Sequence, residues 1–311
     1  MRGTGTKEDR MATKERVAYV NGKVVPESQA SISINDVGFL YGDAVFDTTR
    51  TFDKRIFKLK EHLDRFYHSL RYMRIDPGMS KEEMARLTMQ VLDANLPLLG
   101  PHEDYWVSQR ISRGVRGTGK PMVPTVVMEC HPLPLKERAK SFRDGLQIVT
   151  PSIRRTPPES MSPRAKVHNY INMIQGDLEV KSQNPDALAI LLDTNGNIAE
   201  GLGSNVFIVK DGALITPRDQ FVLGGISRET TIELAQELNI EVRKEDIDLF
   251  DAYTADEAFV TSTSYCICPV SKFNGMKVGD GVPGPVTDRL QKAYSGLVGM
   301  DIVGQYLAHL K

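Results

Sequence analysis

The chain of 311 residues contains only three cysteines, which is too few for a fold stapled by disulfides. Cys266 and Cys268 lie on one face of a predicted strand, and no residues typical of metal ligands stand near them. We therefore interpret both, together with Cys130, as reduced thiols of a hydrophobic core. We expect no metal site.

The chain also lacks a large excess of charge of one sign, and it lacks long apolar runs. The 39 basic and 40 acidic side chains nearly cancel, so the electrostatic attraction to a nucleic acid or an anionic membrane is absent. No apolar run approaches the roughly 18 residues of a membrane span, and the N-terminus lacks the apolar core of a secretory signal. We expect a cytoplasmic protein that acts on small molecules.

What is present is enough apolar sequence, 41% of residues, for one large core or two modest ones. Residues 1–15 are charged and have no apolar period, which predicts a flexible tail or an arm that becomes ordered only on a partner subunit. Residues 132–144 combine prolines with charges and predict a linker. The linker would join a small N-terminal domain, residues 16–131, to a larger domain, residues 145–311.

Four dipeptides of the kind that forms two-residue hairpin turns lie between β-rich runs. They are Asn21-Gly22, Asn195-Gly196, Asp211-Gly212 and Asn274-Gly275. Antiparallel hairpins are therefore expected to dominate the sheets. Further strands are predicted over residues 105–111, 125–128 and 146–149, with a flexible basic loop over residues 113–121.

Helical patterns separate these strands. Apolar residues from Leu59 to Met73 follow the spacing of one helix face, and the pattern ends before Pro77. A second helix begins at Ser80, where Glu83 completes the sequence of a capping box. Two more helices are predicted over about residues 169–181 and 228–238. The fold class is α+β in two domains.

Residues 198–207 carry the strongest indication of chemistry. Glu200 lies in an apolar run and is followed by Gly201 and Gly203, which lack the Cβ atoms that would hold a flat ligand away from the backbone. Lys166, 34 residues earlier, adds an amine that could bind an aldehyde cofactor as a Schiff base. The alternatives are an edge-strand bulge with a solvated Glu200, and a solvated Lys166.

A glycine turn at Gly225 leads into the predicted helix that contains Arg228. Free amides and the helix dipole at such a start favour an anion. Ordinary capping of the helix by Ser227 is the alternative.

With these features in this order, the chain resembles the class IV aminotransferases, the fold-type IV pyridoxal-phosphate enzymes, from about Val17 to the C-terminus. The matching segments are residues 41–47, 62–65, Lys166, residues 199–205, and residues 225–228 with Thr263. The resemblance implies a small N-terminal α/β sandwich and a larger C-terminal domain with a mostly antiparallel, barrel-like sheet. It also implies pyridoxal 5′-phosphate as cofactor and a homodimer whose active sites borrow loops from the partner.

The resemblance assigns roles to individual residues. Lys166 is the catalytic Schiff-base lysine and general base, Arg65 binds the phosphate, and Glu200 faces the ring nitrogen. Tyr170 lies near the phenolic oxygen or, alternatively, is a core aromatic, and His168 is structural or interfacial rather than catalytic. The implied cofactor-binding residues are Arg65, Lys166, Tyr170, Glu200, Gly203, Ser204, Asn205, Gly225, Ile226, Ser227 and Thr263.

The substrate-binding residues implied in the same way are Tyr41, Phe46, Thr48, Trp106, Arg110, Arg116, Ser264 and Tyr265. Branched-chain members would have glycine in place of Thr48, whereas Asp47 and residues 153–158 and 279–287 resemble the (R)-amine transaminases. Arg116 would be a mobile switch that meets a carboxylate; a solvated loop charge is the alternative.

The leading hypothesis is a ping-pong transaminase that moves an amino group between an (R)-amine or D-amino-acid-like donor and a 2-oxo acid such as pyruvate. A branched-chain L-amino-acid aminotransferase is the close alternative. A lyase of the aminodeoxychorismate type, which eliminates pyruvate, is the alternative from another class.

Overall fold

The computed structural model describes residues 15–117, 119 and 121–310. Most of the predicted tail, and Thr118 and Lys120 of the predicted loop, lie outside these residues. The first part of the chain contains β1 (Val17–Val20), β2 (Lys23–Pro26), α1 (Val37–Tyr41), β3 (Ala44–Phe52), β4 (Arg55–Ile56), α2 (Leu59–Met73), α3 (Lys81–Asn95), β5 (Tyr105–Ser112) and β6 (Thr125–Pro132).

These six strands form one antiparallel sheet in the order β2-β1-β6-β5-β3-β4. The helices α2 and α3 pack on the sheet because their apolar stripes bury residues such as Phe66, Leu70 and Met84 against Val107 and Met128. This packing fixes the face of α2 that carries Arg65.

The second part begins after α4 (Leu135–Asp144) and contains β7 (Leu146–Val149), α5 (Ile171–Gln183), β8 (Leu188–Leu192), β9 (Ile198–Gly201), β10 (Ser204–Lys210), β11 (Ala213–Thr216), α6 (Ile226–Glu237), β12 (Val242–Lys244), α7 (Leu249–Tyr253), β13 (Glu257–Ser262), β14 (Cys266–Phe273), β15 (Met276–Lys277), α8 (Pro285–Val298) and α9 (Ile302–Leu307). Strands β10, β13, β14, β7, β8 and β9 pair in a ring, since β9 also pairs with β10. The result is a closed six-stranded barrel. Its pairings are antiparallel except where β7 joins β14 and β8.

The predicted α+β class with a barrel-like sheet is confirmed, and so are three of the four predicted two-residue hairpin turns. Asn21-Gly22, Asp211-Gly212 and Asn274-Gly275 have positive φ at both residues, the backbone that a two-residue turn between twisted strands requires. Asn195-Gly196 also joins two antiparallel strands, β8 and β9, but the prediction of a two-residue turn is wrong there. The connection runs over residues 193–197, is closed by the Asp193 amide on the Asn197 carbonyl at 2.7 Å, and has positive φ at Gly196 and not at Asn195.

The helix from Leu59 to Met73 is α2, with the predicted bounds. Of the two hydrogen bonds in the predicted capping box at the start of α3, only one forms, so the prediction is wrong for the other. Ser80 accepts from the Glu83 amide at 3.2 Å, but the Glu83 carboxylate binds Arg86, one turn further on, at 2.7 and 2.8 Å. The competing ion pair removes the reciprocal bond.

Most of the predicted linker over residues 132–144 is the helix α4, which packs on α9 and β14. The buried Arg50 of β3 ties the two sheets together: it donates to the Ser264 carbonyl at 3.3 Å and to Gln305 Oε1 at 3.0 Å. Exact domain bounds stay a prediction.

None of the described helices is long and apolar enough to cross a membrane. The three cysteines are buried free thiols. In the part of the chain that the structure describes, no three His, Cys, Asp or Glu side chains are grouped to hold a metal ion.

Candidate active site

A cavity of about 720 Å³, the open space at its mouth included, lies where the barrel meets α2 and residues 161–170. We call it the inner cavity. All eleven of the predicted cofactor residues line it, and so do Arg155 and Thr261. The eleven are Arg65, Lys166, Tyr170, Glu200, Gly203, Ser204, Asn205, Gly225, Ile226, Ser227 and Thr263.

Lys166 reaches the inner cavity from a backbone fixed by the first sheet. Its carbonyl accepts from the Phe46 amide at 3.1 Å, its amide donates to Ser69 Oγ at 3.0 Å, and His168 N donates to the Ala44 carbonyl at 2.9 Å. The Lys166 Nζ lies 3.4 Å from Tyr170 Oη and 4.4 Å from the centroid of the Phe46 ring. The amine is thus held in a half-buried, partly aromatic environment.

Glu200 is 4% exposed on β9, so the alternative of a solvated carboxylate is wrong. Arg155 Nε donates to Oε1 at 3.0 Å and the Leu223 amide to Oε2 at 2.9 Å. Burial raises the pKa of the Glu200 carboxyl, and the Arg155 guanidinium and the Leu223 amide oppose that rise. Arg155 is a site residue that sequence reasoning missed, since only its segment was noted.

The two glycines beside Glu200 have different functions. A Cβ on Gly201 would lie 2.8 Å from the Ala189 carbonyl oxygen, so this glycine allows strands to approach inside the barrel. Gly203 has φ +147° and faces open space. Gly201 lines the inner cavity as Gly203 does, and the expectation that both glycines make room for a ligand stays a prediction.

At the other end of the inner cavity, Arg65 is held by Asp47. Its Nε and Nη2 donate to the two Asp47 oxygens at 2.8 and 2.7 Å, and its Nη1 donates to the Gly224 carbonyl at 2.9 Å. Burial alone would raise the pKa of Asp47, but Arg65 and His62 outweigh it and hold that pKa well below its usual range. Asp47 is thus a buried anchor for Arg65, a role that the sequence did not reveal.

The helix α6 begins at this same end with Gly225 as its N-cap and no side-chain cap. The alternative that Ser227 caps the helix is wrong, because its Oγ donates to the Ser262 carbonyl at 3.0 Å. A Cβ on Gly225 would meet Asn205 Oδ1 at 2.2 Å, so a side chain at this position would displace the Asn205 amide. The amides of the first turn are left to meet an anion.

Two buried hydroxyls of the inner cavity, Ser204 Oγ and Thr261 Oγ1, have no hydrogen-bond partner among the described residues. Buried polar atoms are rarely left in this state. Together with Arg65, the start of α6, Glu200 and the open face of Gly203, they fit a flat ligand that carries a phosphate and a basic ring nitrogen.

A wider cleft adjoins the inner cavity and shares Lys166, Tyr170, Gly203, Ser204 and Thr263 with it. We call it the outer cleft. Six predicted substrate residues line it: Phe46, Thr48, Trp106, Arg110, Ser264 and Tyr265. Tyr41 and Arg116 do not; they contact each other on the exposed surface.

Charge in the outer cleft is unevenly paired. Arg110 donates to Glu129 at 2.7 Å. Burial would raise the pKa of Glu129, but His131 and Arg110 lower it to about 2. Arg138 of α4 also lines the cleft. Sequence reasoning missed it because residues 132–144 were interpreted as a linker.

The family described as Amino-transferase class IV matches residues 44–273. The chain is 37% identical to the putative branched-chain-amino-acid aminotransferase of Methanocaldococcus jannaschii over 287 residues, which cover 90% of this chain and 95% of the relative. It is 31% identical to the branched-chain-amino-acid aminotransferase of Escherichia coli, with 92% and 94% covered.

Solved structures agree with these relatives. The E. coli branched-chain aminotransferase superposes with a TM-score of 0.84 at 30% identity, over 91% of this chain and 95% of that one. The T.th. branched-chain aminotransferase with pyridoxamine 5′-phosphate gives 0.82 at 29%, over 92% and 95%. The resemblance seen in the sequence is confirmed: the chain belongs to the class IV aminotransferases and is an aminotransferase.

Proposed function

We propose that the inner cavity binds pyridoxal 5′-phosphate and that this enzyme transfers amino groups between amino acids with apolar side chains and 2-oxo acids. One observation carries the proposal: the same cavity is lined by the Lys166 amine, the buried Glu200 carboxylate and the Arg65 guanidinium. The T.th. enzyme of the same fold was solved with pyridoxamine 5′-phosphate, which supports this choice of cofactor.

Each end of the inner cavity would hold a different part of the cofactor. Arg65 and the first amides of α6 would bind the phosphate, since a guanidinium and helix-start amides together suit a dianion. Glu200 would hold the ring nitrogen in its protonated form. When bound, the cofactor supplies an aldehyde carbon that takes up the amino group and a ring that accepts electrons.

Lys166 would act first as a nucleophile and then as the group that moves the proton of the substrate Cα. The Phe46 ring and the half-buried position exclude part of the water around the amine. Burial lowers the pKa of His168 to about 4, so this histidine is neutral near pH 7 and Lys166 is the better proton carrier.

The walls of the outer cleft support apolar substrates, because Phe46, Trp106 and Tyr265 all line it. Relatives and structural neighbours named as branched-chain aminotransferases support an amino acid of that type. A second candidate is an (R)-amine or D-amino-acid donor. It rests on Thr48, which replaces the glycine expected of branched-chain members and lines the cleft with its hydroxyl 2.9 Å from that of Ser108.

A panel of donors tests the proposal. L-leucine, L-alanine, D-alanine and both enantiomers of 1-phenylethylamine are mixed singly with the holoenzyme, and cofactor absorbance is followed. We expect L-leucine to give a lasting shift to the aminated cofactor, reversed by a 2-oxo acid. A faster shift with D-alanine or (R)-1-phenylethylamine would establish the second candidate. Aminodeoxychorismate is tested in parallel with the panel, and release of pyruvate from it without a lasting shift would establish the lyase alternative and contradict transamination.

We also propose a homodimer. Large apolar side chains are exposed on α1, α5 and the β5–β6 connection, including Phe39 at 66%, Ile171 at 65% and Val123 at 76%. Exposed apolar groups of this size favour burial against a second copy. Sedimentation equilibrium measures the association.

A further inference from the structure

Almost every cation that lines the two cavities is neutralised by an acid of the same chain. The pairs are Arg65 with Asp47, Arg155 with Glu200, Arg110 with Glu129, Lys181 with Asp177 and Lys140 with Asp186. Among the described residues, the lining lysines and arginines that form no ion pair are Lys166 and Arg138. The proposed reaction uses Lys166 as its reactive amine. Arg138 is therefore the lining cation, among the described residues, whose charge is neither paired with an acid nor used in that reaction.

Arg138 is held in one place by neutral groups. Its guanidinium lies 4.2 Å from the centroid of the Tyr265 ring and 5.3 Å from that of Trp106, and its Nη1 donates to Ser264 Oγ. Both rings attract the cation without cancelling its charge. A guanidinium fixed in this way loses little entropy when it binds a further acceptor.

The acceptor group Ser264 is itself fixed. Its carbonyl accepts from the buried Arg50 at 3.3 Å and from Tyr306 Oη. The neighbouring Thr263 lines both cavities and donates to the Thr48 carbonyl at 3.1 Å. Arg138 thus lies at the wall that connects the outer cleft to the reaction site.

We propose that Arg138 binds the α-carboxylate of the 2-oxo acid and amino acid substrates, an inference that rests on the proposed function. A planar guanidinium matches a carboxylate with two parallel hydrogen bonds. Arg110, the other arginine of the outer cleft, already uses its charge on Glu129. One unpaired cation in the cleft that also contains the reactive amine suits one carboxylate, and the α-carboxylate is the one that all 2-oxo acids share.

Two variants and a matched control test this assignment in the holoenzyme. Arg138→Gln removes the charge, Arg138→Lys keeps it without the planar fork, and Arg143→Gln changes an exposed arginine of the same helix that pairs with Asp144. We expect Arg138→Gln to raise KM for pyruvate, 4-methyl-2-oxopentanoate and 2-oxoglutarate about 10- to 100-fold while kcat changes little. The KM values of Arg138→Lys should lie between those of wild type and Arg138→Gln, and the KM values of Arg143→Gln should match wild type.

Binding of 4-methylvalerate gives a readout that needs no turnover. Trp106 is the only tryptophan of the chain and lies beside Arg138, so its fluorescence reports ligands in the outer cleft. The Kd for 4-methylvalerate should rise by the same factor in Arg138→Gln. Thermal melting of both variants shows whether the fold is retained, and Arg138→Lys provides the test if Arg138→Gln unfolds.

Three outcomes overturn the assignment: unchanged KM and Kd in Arg138→Gln, a loss confined to 2-oxoglutarate, or a fall in kcat with weaker cofactor retention at unchanged KM. The second outcome would place a distal carboxylate at Arg138, and the third would make the residue structural. A wild-type enzyme that transaminates no donor would instead contradict the proposed function, and the 4-methylvalerate titration would remain interpretable.

Discussion

The inner cavity and the outer cleft share Lys166, but they differ in how the chain treats charge. In the inner cavity Arg65 and Arg155 are each bonded to a buried carboxylate, and those carboxylates are fixed in turn by His62 and by the Leu223 amide. In the outer cleft the rings of Trp106 and Tyr265 hold Arg138, which keeps an unpaired charge. The difference indicates a pre-organised site for a constant ligand beside a surface that selects among variable ones.

The largest effect should come from the residue common to both regions. In Lys166→Ala the site loses its nucleophile and its proton carrier together, and we expect turnover to fall by on the order of 10⁴-fold or more. Steady-state assays with the best donor of the panel measure it, and Lys292→Ala, an exposed lysine paired with Asp288, is the control. Full turnover in Lys166→Ala would break the whole assignment.

The next test separates chemistry from binding in the inner cavity. Glu200→Gln keeps the shape but removes the negative charge, so the cofactor should remain bound while turnover falls by about 10²- to 10³-fold. A larger isotope effect with Cα-deuterated donor would locate the loss in proton removal.

The control for this variant is Glu257→Gln. Glu257 is another buried barrel glutamate, and it binds the Val286 and Thr287 amides at 2.8 Å away from both cavities. Glu257→Gln should lower the free energy of unfolding and leave kcat nearly unchanged. If Glu200→Gln turned over at the wild-type rate, the role assigned to its charge would be wrong even with the fold correct.

The same contrast explains what could be predicted from the sequence. Turns and helix faces follow local rules, so the Asn21-Gly22 hairpin and α2 were found with the right bounds. Lys166 and Glu200 were found because their segments resemble a family whose chemistry needs an amine and a carboxylate. Their meeting in one cavity depends on the closure of the barrel.

Partners that come from distant elements could not be predicted in this way. The pairing of Asp47 with Arg65 depends on how α2 packs on β3, and Arg155, which follows β7, meets Glu200 of β9 only in the folded barrel. Prolines and charges in residues 132–144 predicted a linker, whereas the structure has α4 there, with Arg138 on the side that faces the outer cleft. Tertiary packing decides each of these positions.

The smallest effect on turnover, and the sharpest test of pre-organisation, should come from Asp47→Asn. Arg65 would keep its place but lose its anionic partner, which leaves a largely buried charge uncompensated and lowers the free energy of unfolding by about 3 kcal/mol. Cofactor affinity should fall about 10-fold, because one of the charge-assisted bonds that orient Arg65 is lost. Asp144→Asn, in an exposed pair with Arg143, should leave both quantities nearly unchanged.

The pH dependence of the free energy of unfolding gives a second test of Asp47. Because the folded-state pKa of Asp47 is held below its ordinary value, its contribution to stability is complete above about pH 4 and is lost as the pH falls below that value. Wild type should therefore lose stability more steeply than Asp47→Asn in urea unfolding below pH 4. Parallel acid profiles for the two proteins would show that Asp47 does not titrate with folding, and the inner cavity would then lack the fixed ion pair that distinguishes it from the outer cleft.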